Sequence, residues 1–336
     1  MWFITGATGF VGYTLLQEWA RRGRPVPLRL LVRNPQHPVL TPYLGQVEIV
    51  QGTLSDPQTL IQGCRGADAV IHAAAAISFS PRSRAWMHKT NVEGTRYLVN
   101  AALEAGVPRF VYVSSIAALG RPASLEGPIT EETLWQESPY NTFYGYTKYL
   151  GEKEVWRGGE EGLAVQVFNP GIILGPYIDW HKGSPAFFRM VQNGLIAYPV
   201  GTNGFVGVKD VVQALFMGLE KYPHGWGERY ILVAENWKYK RLFTEIARAL
   251  KKSPPRFPIP KLLAVGVGLS MEYVGKWFGL PAAVTRETAR TSSSDFLYDG
   301  TKITRTYPDF SYTPLTEVIQ ETAKMFVSSY ARPTKR

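Results

Sequence analysis

Trp2-Phe3-Ile4-Thr5-Gly6-Ala7-Thr8-Gly9-Phe10-Val11-Gly12 opens the chain, and its reading decides the fold. Three apolar residues run into Thr5 and a glycine-punctuated turn, and an amphipathic run from Val11 to Arg22 follows at once. That is a strand, a tight turn and a helix. Gly6 lets the chain leave the strand at a backbone angle that a side chain disfavours. Gly9, without a Cβ, leaves the main chain open to a pyrophosphate, and Gly12 lets the new helix press against the strand. The free N–H groups at the helix start, with the dipole behind them, then face an anion. The spacing is G-x-x-G-x-x-G, not G-x-G-x-x-G. Glycines mark many ordinary turns, but a turn between strand and helix at this point favours a dinucleotide.

The same rhythm continues outward. Gly23 reads as the cap that ends the first helix. Leu28 to Val32 is a second strand, ending at Arg33-Asn34-Pro35, and Val47 to Val50 a third. Asp56 as N-cap and Pro57 at the first helical position open a helix. Ala69 to Ala73 is a fourth strand, whose tail through Ala76 has almost no side chain. Arg84 to Ala105 reads as one long helix carrying Asn91. Phe110 to Val113 is a fifth strand, followed by Ser114-Ser115; Asn141 to Arg157 is helical; Leu163 to Phe168 is a sixth strand ending at Asn169-Pro170-Gly171. Strands apolar on both faces, alternating with helices, predict an α/β fold with a doubly wound, Rossmann-type parallel sheet. A ligand should lie across the strand carboxyl ends.

Beyond Gly171 the rhythm loosens. Helices are expected over Phe187–Gly194, Lys209–Lys221, Lys240–Leu250 and Leu315–Ser328, and a strand over Tyr230–Val233. Ser253 to Pro260, rich in proline, reads as a linker, Leu262 to Phe278 as an apolar helix, and Asp299 to Pro308 as polar turns. Residues 1–171, with 205–235 returning to them, should form the nucleotide-binding domain. Residues 172–204 and 236–330 should form a smaller C-terminal substrate-binding lobe.

Composition sets further bounds. The chain has 336 residues, 45% of them apolar, which is globular rather than disordered. Its net charge of +10 is scattered apart from Arg21-Arg22-Gly23-Arg24 and the Lys335-Arg336 tail, so no nucleic-acid partner is expected. The single cysteine, Cys64, excludes an intramolecular disulfide and suits a reducing cytoplasm. A strand beginning at Trp2 leaves no room for a signal peptide. The most apolar stretch, Leu262 to Leu280, contains Glu272 and Lys276, so no transmembrane segment is expected. The five histidines are far apart, and no metal is expected.

One constellation carries chemistry. Tyr144 and Lys148 lie one helical turn apart and project from one face. Ser115 lies just past the fifth strand. A tyrosine of pKa about 10 is a poor base at neutral pH, and a lysine cation one turn away should lower that value. The serine hydroxyl can hold the substrate oxygen whose proton the tyrosine gives or takes. A second pair, Tyr149 and Lys153, lies further inside the same helix and reads as packing and solvated surface.

These stretches together resemble the extended short-chain dehydrogenase/reductase family, within the NAD-dependent epimerase/dehydratase superfamily. The matching pieces are Thr5 to Gly12, Asp68 to Ala75, Asn91 to Thr95, Val113 to Ser115, Tyr144 to Lys148 and Asn169 to Gly171. The resemblance implies that Ser115, Tyr144 and Lys148 are catalytic. It implies a cofactor site at Gly6, Thr8, Gly9, Phe10 and Val11, along Ala73, Ala74 and Ala75, and near Asn91 and Val113. Tyr144 and Lys148 would also touch the cofactor, Lys148 through the nicotinamide ribose, and Pro170, Gly171 and Ile172 would flank the nicotinamide. Thr53 and Leu54 stand where the family often has an aspartate reading adenine. Asp68 and His72 read as structural. Arg33, at the end of the second strand, favours NADP over NAD, because a fork of donors there meets a 2′-phosphate.

The substrate should be a small molecule, and two branches of the family compete for it. One reduces or oxidises a carbonyl or hydroxyl on an apolar ring, as dihydroflavonol reductases and hydroxysteroid dehydrogenases do. The other comprises nucleotide-sugar epimerases and dehydratases, which commonly place an arginine ahead of the helix near Asp210. Asn203 to Lys209 contains none, and Phe79, Trp86, Tyr177, Trp180, Phe187 and Phe188 are expected to line the pocket, so the ring branch is preferred. Arg189 and Lys182 remain available to an anionic substrate. A sensor that binds NAD(P) without turnover is a third reading, disfavoured because tyrosine and lysine are both kept. The resemblance also adds membrane-surface contact by Leu262 to Phe278, against a buried lobe helix. The oligomeric state is left open, a homodimer included.

Overall fold

The computed structural model describes residues 1–122, 127–221, 225–264, 266 and 285–330. The opening stretch forms β1 (Trp2–Thr5) and α1 (Phe10–Arg21). Along β1 side chains alternate between layers: Trp2 and Ile4 pack with α1 residues Leu15 and Trp19, whereas Phe3 packs on the other face with Leu60 and Leu98. β2 (Leu28–Val32), β3 (Glu48–Gln51), α2 (Pro57–Cys64) and β4 (Ala69–His72) follow. Asp56 caps α2 as expected, accepting from the Thr59 N–H. Then come α3 (Arg84–His88), α4 (Gly94–Glu104), β5 (Arg109–Val113), α5 (Phe143–Glu160) and β6 (Ala164–Pro170).

The second half adds β7 (Ile172–Leu174), α6 (Ala186–Gln192), β8 (Ala197–Pro199), β9 (Thr202–Gly207), α7 (Val208–Glu220) and β10 (Glu228–Leu232). β11 (Glu235–Lys238), α8 (Tyr239–Ala249) and β12 (Phe257–Ile259) precede the helices Arg286–Ser292, Lys302–Thr306 and Leu315–Tyr330.

The main sheet has seven strands in the order β10-β6-β5-β4-β1-β2-β3. Every pairing in it is parallel. Helices cover both faces, α1 and α7 on one side and α2, α4 and α5 on the other. This is the doubly wound α/β sheet that the alternation predicts. The chain order reverses between β1 and β4, and there the carboxyl ends of two neighbouring strands leave a crevice. β10 joins the sheet beside β6, whereas β9 pairs with β7 and β11 in a separate three-stranded sheet. That sheet, α6, α8 and the helix Leu315–Tyr330 share a third core around Phe188, Trp237 and Phe326.

Several expectations are corrected. The helix expected over Arg84–Ala105 is broken by a π turn at Lys89–Glu93. Gly23 takes φ +77 one residue beyond the cap, Arg22. The proline-rich Ser253–Pro260 is not only linker: β12 lies in it and pairs with β8, both strands meeting through prolines at an edge. The polar stretch Asp299–Pro308 contains the short helix Lys302–Thr306. The apolar stretch Leu262 to Phe278 falls mostly outside the described residues. Among the described residues, no helix is long and apolar enough to cross a membrane.

Candidate active site

The start of α5 is fixed locally. Thr142 caps it by accepting from the Gly145 N–H at 3.0 Å, which puts Tyr144 in the first turn and Lys148 one turn on. A Cβ at Gly145 would lie 2.6 Å from the Ala117 carbonyl oxygen, so only glycine lets α5 press onto the turn that follows Ser115. A Cβ at Gly151 would lie 2.6 Å from both the Asn91 carbonyl oxygen and Tyr112 Oη. These two close approaches bring the three candidate catalytic residues together.

Ser115 starts a short 3-10 turn, its Oγ accepting from the Ala117 N–H at 3.2 Å, and its hydroxyl lies close enough to Tyr144 to favour the ionised phenol. Burial pushes the Tyr144 phenol up to about 12, and Ser115 pulls against it. That direction opposes the expectation that Lys148 lowers it. The cause is where the ammonium goes: Lys148 Nζ donates to Tyr112 Oη at 2.7 Å and to the Val113 carbonyl at 2.9 Å, both on β5. Lys148 is fully buried, and desolvation lowers its pKa to about 7, with Glu152 opposing. The rival pair points elsewhere. Tyr149 stacks on Trp135 at 4.7 Å, and Lys153 Nζ lies 5.8 Å from the centroid of the Tyr149 ring.

Asn91 sits in the π turn and is buried. Its side-chain oxygen accepts from the Ala76 N–H at 2.7 Å, and its Nδ2 donates to the Ala76 carbonyl at 2.9 Å and Thr147 Oγ1 at 3.0 Å. It thereby ties the tail Ala73, Ala74, Ala75 to α5. The Ala73 and Ala74 N–H groups donate to the Thr5 carbonyl and hydroxyl at 3.1 and 3.4 Å. His72 is a packed imidazole, bonded to Thr5 and Thr95 hydroxyls at 2.7 and 3.0 Å and pushed down to about 3 by burial and by Lys148. Asp68 makes the strand-start bond, its N–H donating to the Met1 carbonyl at 2.8 Å.

The glycine turn fits a pyrophosphate. Gly6 takes φ +78 and its Cβ would lie 2.5 Å from the Ala74 nitrogen, so the turn backs directly onto the β4 tail. A Cβ at Gly12 would lie 2.2 Å from the Gly6 oxygen. At Gly9, the N-cap of α1, a Cβ would meet only the Gly6 oxygen, at 3.3 Å, and no side chain caps the helix start. Open space and uncapped N–H groups are what an anion needs there. Thr8 and Phe10 are held from the second half of the chain: Tyr177 Oη donates to the Thr8 carbonyl at 2.9 Å, and its ring lies 5.3 Å from Phe10. Val11 lies half-buried in the first turn of α1.

The remaining candidates spread along the same edge. Arg33 is exposed just past β2. Thr53 is exposed and its Oγ1 accepts from the Ser55 N–H at 3.2 Å, while Leu54 is buried under Gly94. Pro170 ends β6, the Gly171 N–H donates to the Leu232 carbonyl at 2.9 Å, and Ile172 starts β7. The aromatic residues expected around a pocket divide. Phe79 meets Tyr144 edge to face at 6.3 Å, but Tyr177 belongs to the glycine turn, and Trp180 and Phe188 pack against Phe326 in the third core.

Sequence reasoning missed Glu152, Glu287 and Arg121. Glu287 accepts from the Phe143 N–H at 3.1 Å and from Arg84 at 2.8 Å, clamping α3 to the start of α5. Only Glu152 had a signal, its place one turn beyond Lys148.

Comparison with known proteins agrees with this geometry. The model of the "NAD dependent epimerase/dehydratase family" matches residues 2–234. A putative dihydroflavonol 4-reductase of Synechocystis is 28% identical over 308 residues, covering 89% of this chain and 87% of that one. Sterol demethylase protein B of Methylococcus capsulatus is 30% identical over 270 residues, 79% of each. The crystal structure of gox2253 superposes with a TM-score of 0.79 at 31% identity, covering 98% of both chains. The chain belongs to the NAD dependent epimerase/dehydratase family, as an extended short-chain dehydrogenase/reductase.

Proposed function

We propose that this protein is a reductase, carrying hydride between NADP and the carbonyl or hydroxyl of an apolar ring compound. The observation that carries this reading is Tyr144, a phenol kept protonated by burial with Ser115 beside it. A nicotinamide held along Ala73–Ala75 and Pro170–Ile172 would supply hydride for the carbonyl carbon in the reducing direction. Ser115 Oγ holds the carbonyl oxygen, and the Tyr144 hydroxyl gives it a proton. Lys148, one turn away and held by Tyr112 and Val113, would have to turn toward Tyr144 to offset the phenolate left behind. Asn91 keeps the Ala73–Ala75 backbone and α5 in register around the cofactor. Residues 1–171 with 205–235 would hold that cofactor, and 172–204 with 236–330 would cover the substrate. Phe79, beside Tyr144, offers an apolar wall to a ring. The two curated relatives named above carry dihydroflavonol and sterol, both fused-ring compounds, in their names. The buried thiol of Cys64, pushed up to about 12 by burial, fits a protein of the cytoplasm.

NADP is chosen on Arg33. It is exposed at the carboxyl end of β2 and makes no hydrogen bond or ion pair among the described residues. A charge-assisted hydrogen bond is worth about 1.5–3 kcal/mol, or roughly 10- to 100-fold in affinity. Arg33→Ala should weaken NADP binding by about that factor and leave NAD binding unchanged. Titration of both proteins with both cofactors tests this, and equal wild-type affinities would sink the NADP assignment. Oxidation of NADPH against ring ketones, ring aldehydes and nucleotide sugars tests the substrate class. Turnover confined to the nucleotide sugars would move the protein to the epimerase/dehydratase branch.

A further inference from the structure

Arg121 follows β5 on the segment that begins at Ser115 and is 7% exposed. Its backbone N–H donates to Asn141 Oδ1 at 2.8 Å, which fixes it against the residues leading into α5. Its guanidinium lies over the Phe296 ring, 5.2 Å from the centroid, and Nε donates to Tyr298 Oη at 3.3 Å. Among the described residues, no carboxylate lies within ion-pair distance of it. The neighbouring Asp295 accepts from the Thr202 hydroxyl instead. A cation taken out of water needs a negative partner, and one neutral hydrogen bond with one ring face offsets only part of that loss.

Its surroundings connect it to the reacting end. A Cβ at Gly171 would lie 2.5 Å from the Gly204 oxygen, and one at Gly204 would lie 3.1 Å from the Tyr298 ring. Gly204 and Tyr298 therefore form a chain of contacts from Gly171 to the guanidinium. Asn203, ahead of α7, carries no charge; it donates to Tyr239 Oη at 3.5 Å, and Arg121 pulls that same phenol down against its burial. Asn203–Lys209 contains no arginine, and Arg121 reaches the neighbourhood of Asn203 and Tyr239 from another segment. A cavity of about 320 Å³ begins at the next residue, Pro122, and is lined also by Phe296, Tyr140, Lys261 and Asp295, whose carboxylate is engaged by Thr202. Tyr140 meets Phe296 edge to face at 5.6 Å, and Lys261 lies 5.0 Å over the Tyr140 ring. Two cations thus flank one aromatic pair.

We propose that Arg121, beside the cavity lined by Pro122 and Phe296, holds an oxyanion of the substrate, a carboxylate or a phosphate remote from the reacting carbonyl. The proposal deepens the reductase reading and rests on Ser115 and Tyr144 as the reacting end, joined to Arg121 by the short segment that begins at Ser115. The substrate is then an apolar ring compound with an acidic end. Lys261 lies on the cavity rim and adds a second, exposed charge. Arg121 selects the substrate and takes no part in proton transfer.

Calorimetric titration of the NADP-loaded full-length chain tests this with 4-formylbenzoate, its neutral methyl ester, UDP-glucose and uridine. One of the two anions should bind about tenfold or more tightly than its neutral counterpart. The 4-formylbenzoate arm reports a carboxylate site and the UDP-glucose arm a phosphate site. Arg121→Met should abolish that preference, and Arg121→Lys should keep part of it. If Arg121→Met fails to fold, Arg121→Gln and Arg121→Lys carry the comparison. No preference for either anion in the wild type, or a preference that survives loss of the Arg121 charge, overturns the proposal. Binding rather than turnover is read, so a failure of the reductase reading would appear separately, as absent NADPH oxidation.

Discussion

Glu152 lies one turn beyond Lys148 on the same face of α5 and is 1% exposed. Burial pushes its carboxyl up, and Arg229, Ser114, Asn169 and Lys148 hold it back in that order. Asn169 Nδ2 donates to Oε1 at 2.5 Å, and the Arg229 guanidinium from β10 stands 3.7 Å from Oε2. Lys148 is faced by Tyr112 from β5, His72 from β4, and Tyr144 and Glu152 from its own helix. Glu152 raises the Lys148 pKa, which burial has lowered to about 7. Glu152→Gln keeps the shape and removes the charge, so the Lys148 pKa should fall further. If the protonated lysine is the active form, activity is lost as pH rises through that pKa. The alkaline limb of kcat/KM should therefore move to lower pH. A uniform loss at every pH would mean that Glu152 only packs. Tyr144 and Lys148 were legible as a pair one turn apart and Ser115 as a residue past the fifth strand. The place at the helix start and the family resemblance were needed to prefer that pair to Tyr149 and Lys153, which share the spacing. The partners of Glu152 were not legible, because Asn169 and Arg229 arrive from distant strands. The direction of the Tyr144 shift was misread for the same reason, since Tyr112 and Val113 draw the ammonium away.

Helix α5 and the π turn before α4 form the joint on which the site turns. A π turn inserts an extra residue into a helical run, and here it carries Asn91 toward the Ala76 backbone and Thr147. No apolar period announces it, which is why Arg84–Ala105 reads as one helix. The six strands of the first half were legible as apolar runs bounded by turn residues. β8 and β12, three residues each and both containing proline, carry no period to read. The close approach of α5 gives a direct test. Gly151→Ala gains helix propensity of roughly 1 kcal/mol but sets a methyl against Asn91 and Tyr112, and overpacking costs about 1–3 kcal/mol. The clash involves a backbone carbonyl and a buried phenol, so it should win. The variant should melt a few degrees lower, about 2–4 °C, and lose turnover. A raised Tm would show that α5 lies further from the π turn than described.

The molecule brings two parts of the chain to one crevice. The strands of the first half end at the glycine turn, the Ala73–Ala75 tail, Ser115 and Gly171, and the later segments return to meet them. Tyr177 reaches the Thr8 carbonyl, β10 joins the sheet beside β6, and Glu287 clamps the start of α5. The first half is legible because a parallel sheet repeats one pattern. The return is not, because contacts such as Tyr177 to Thr8 depend on single residues far apart in sequence. All of these parts serve the claim that Tyr144 gives and takes the substrate proton beside a bound NADP. Replacing Tyr144 by Phe removes one hydroxyl from a ring that already packs against Phe79. The decisive measurement is NADPH oxidation by Tyr144→Phe and Tyr149→Phe against a carbonyl substrate turned over by the wild type, with NADPH affinity measured on each. Tyr144→Phe should lose about 10²- to 10⁴-fold in kcat with NADPH affinity unchanged, and Tyr149→Phe should stay near wild type. Full activity in Tyr144→Phe, with the loss appearing in Tyr149→Phe, would contradict the account.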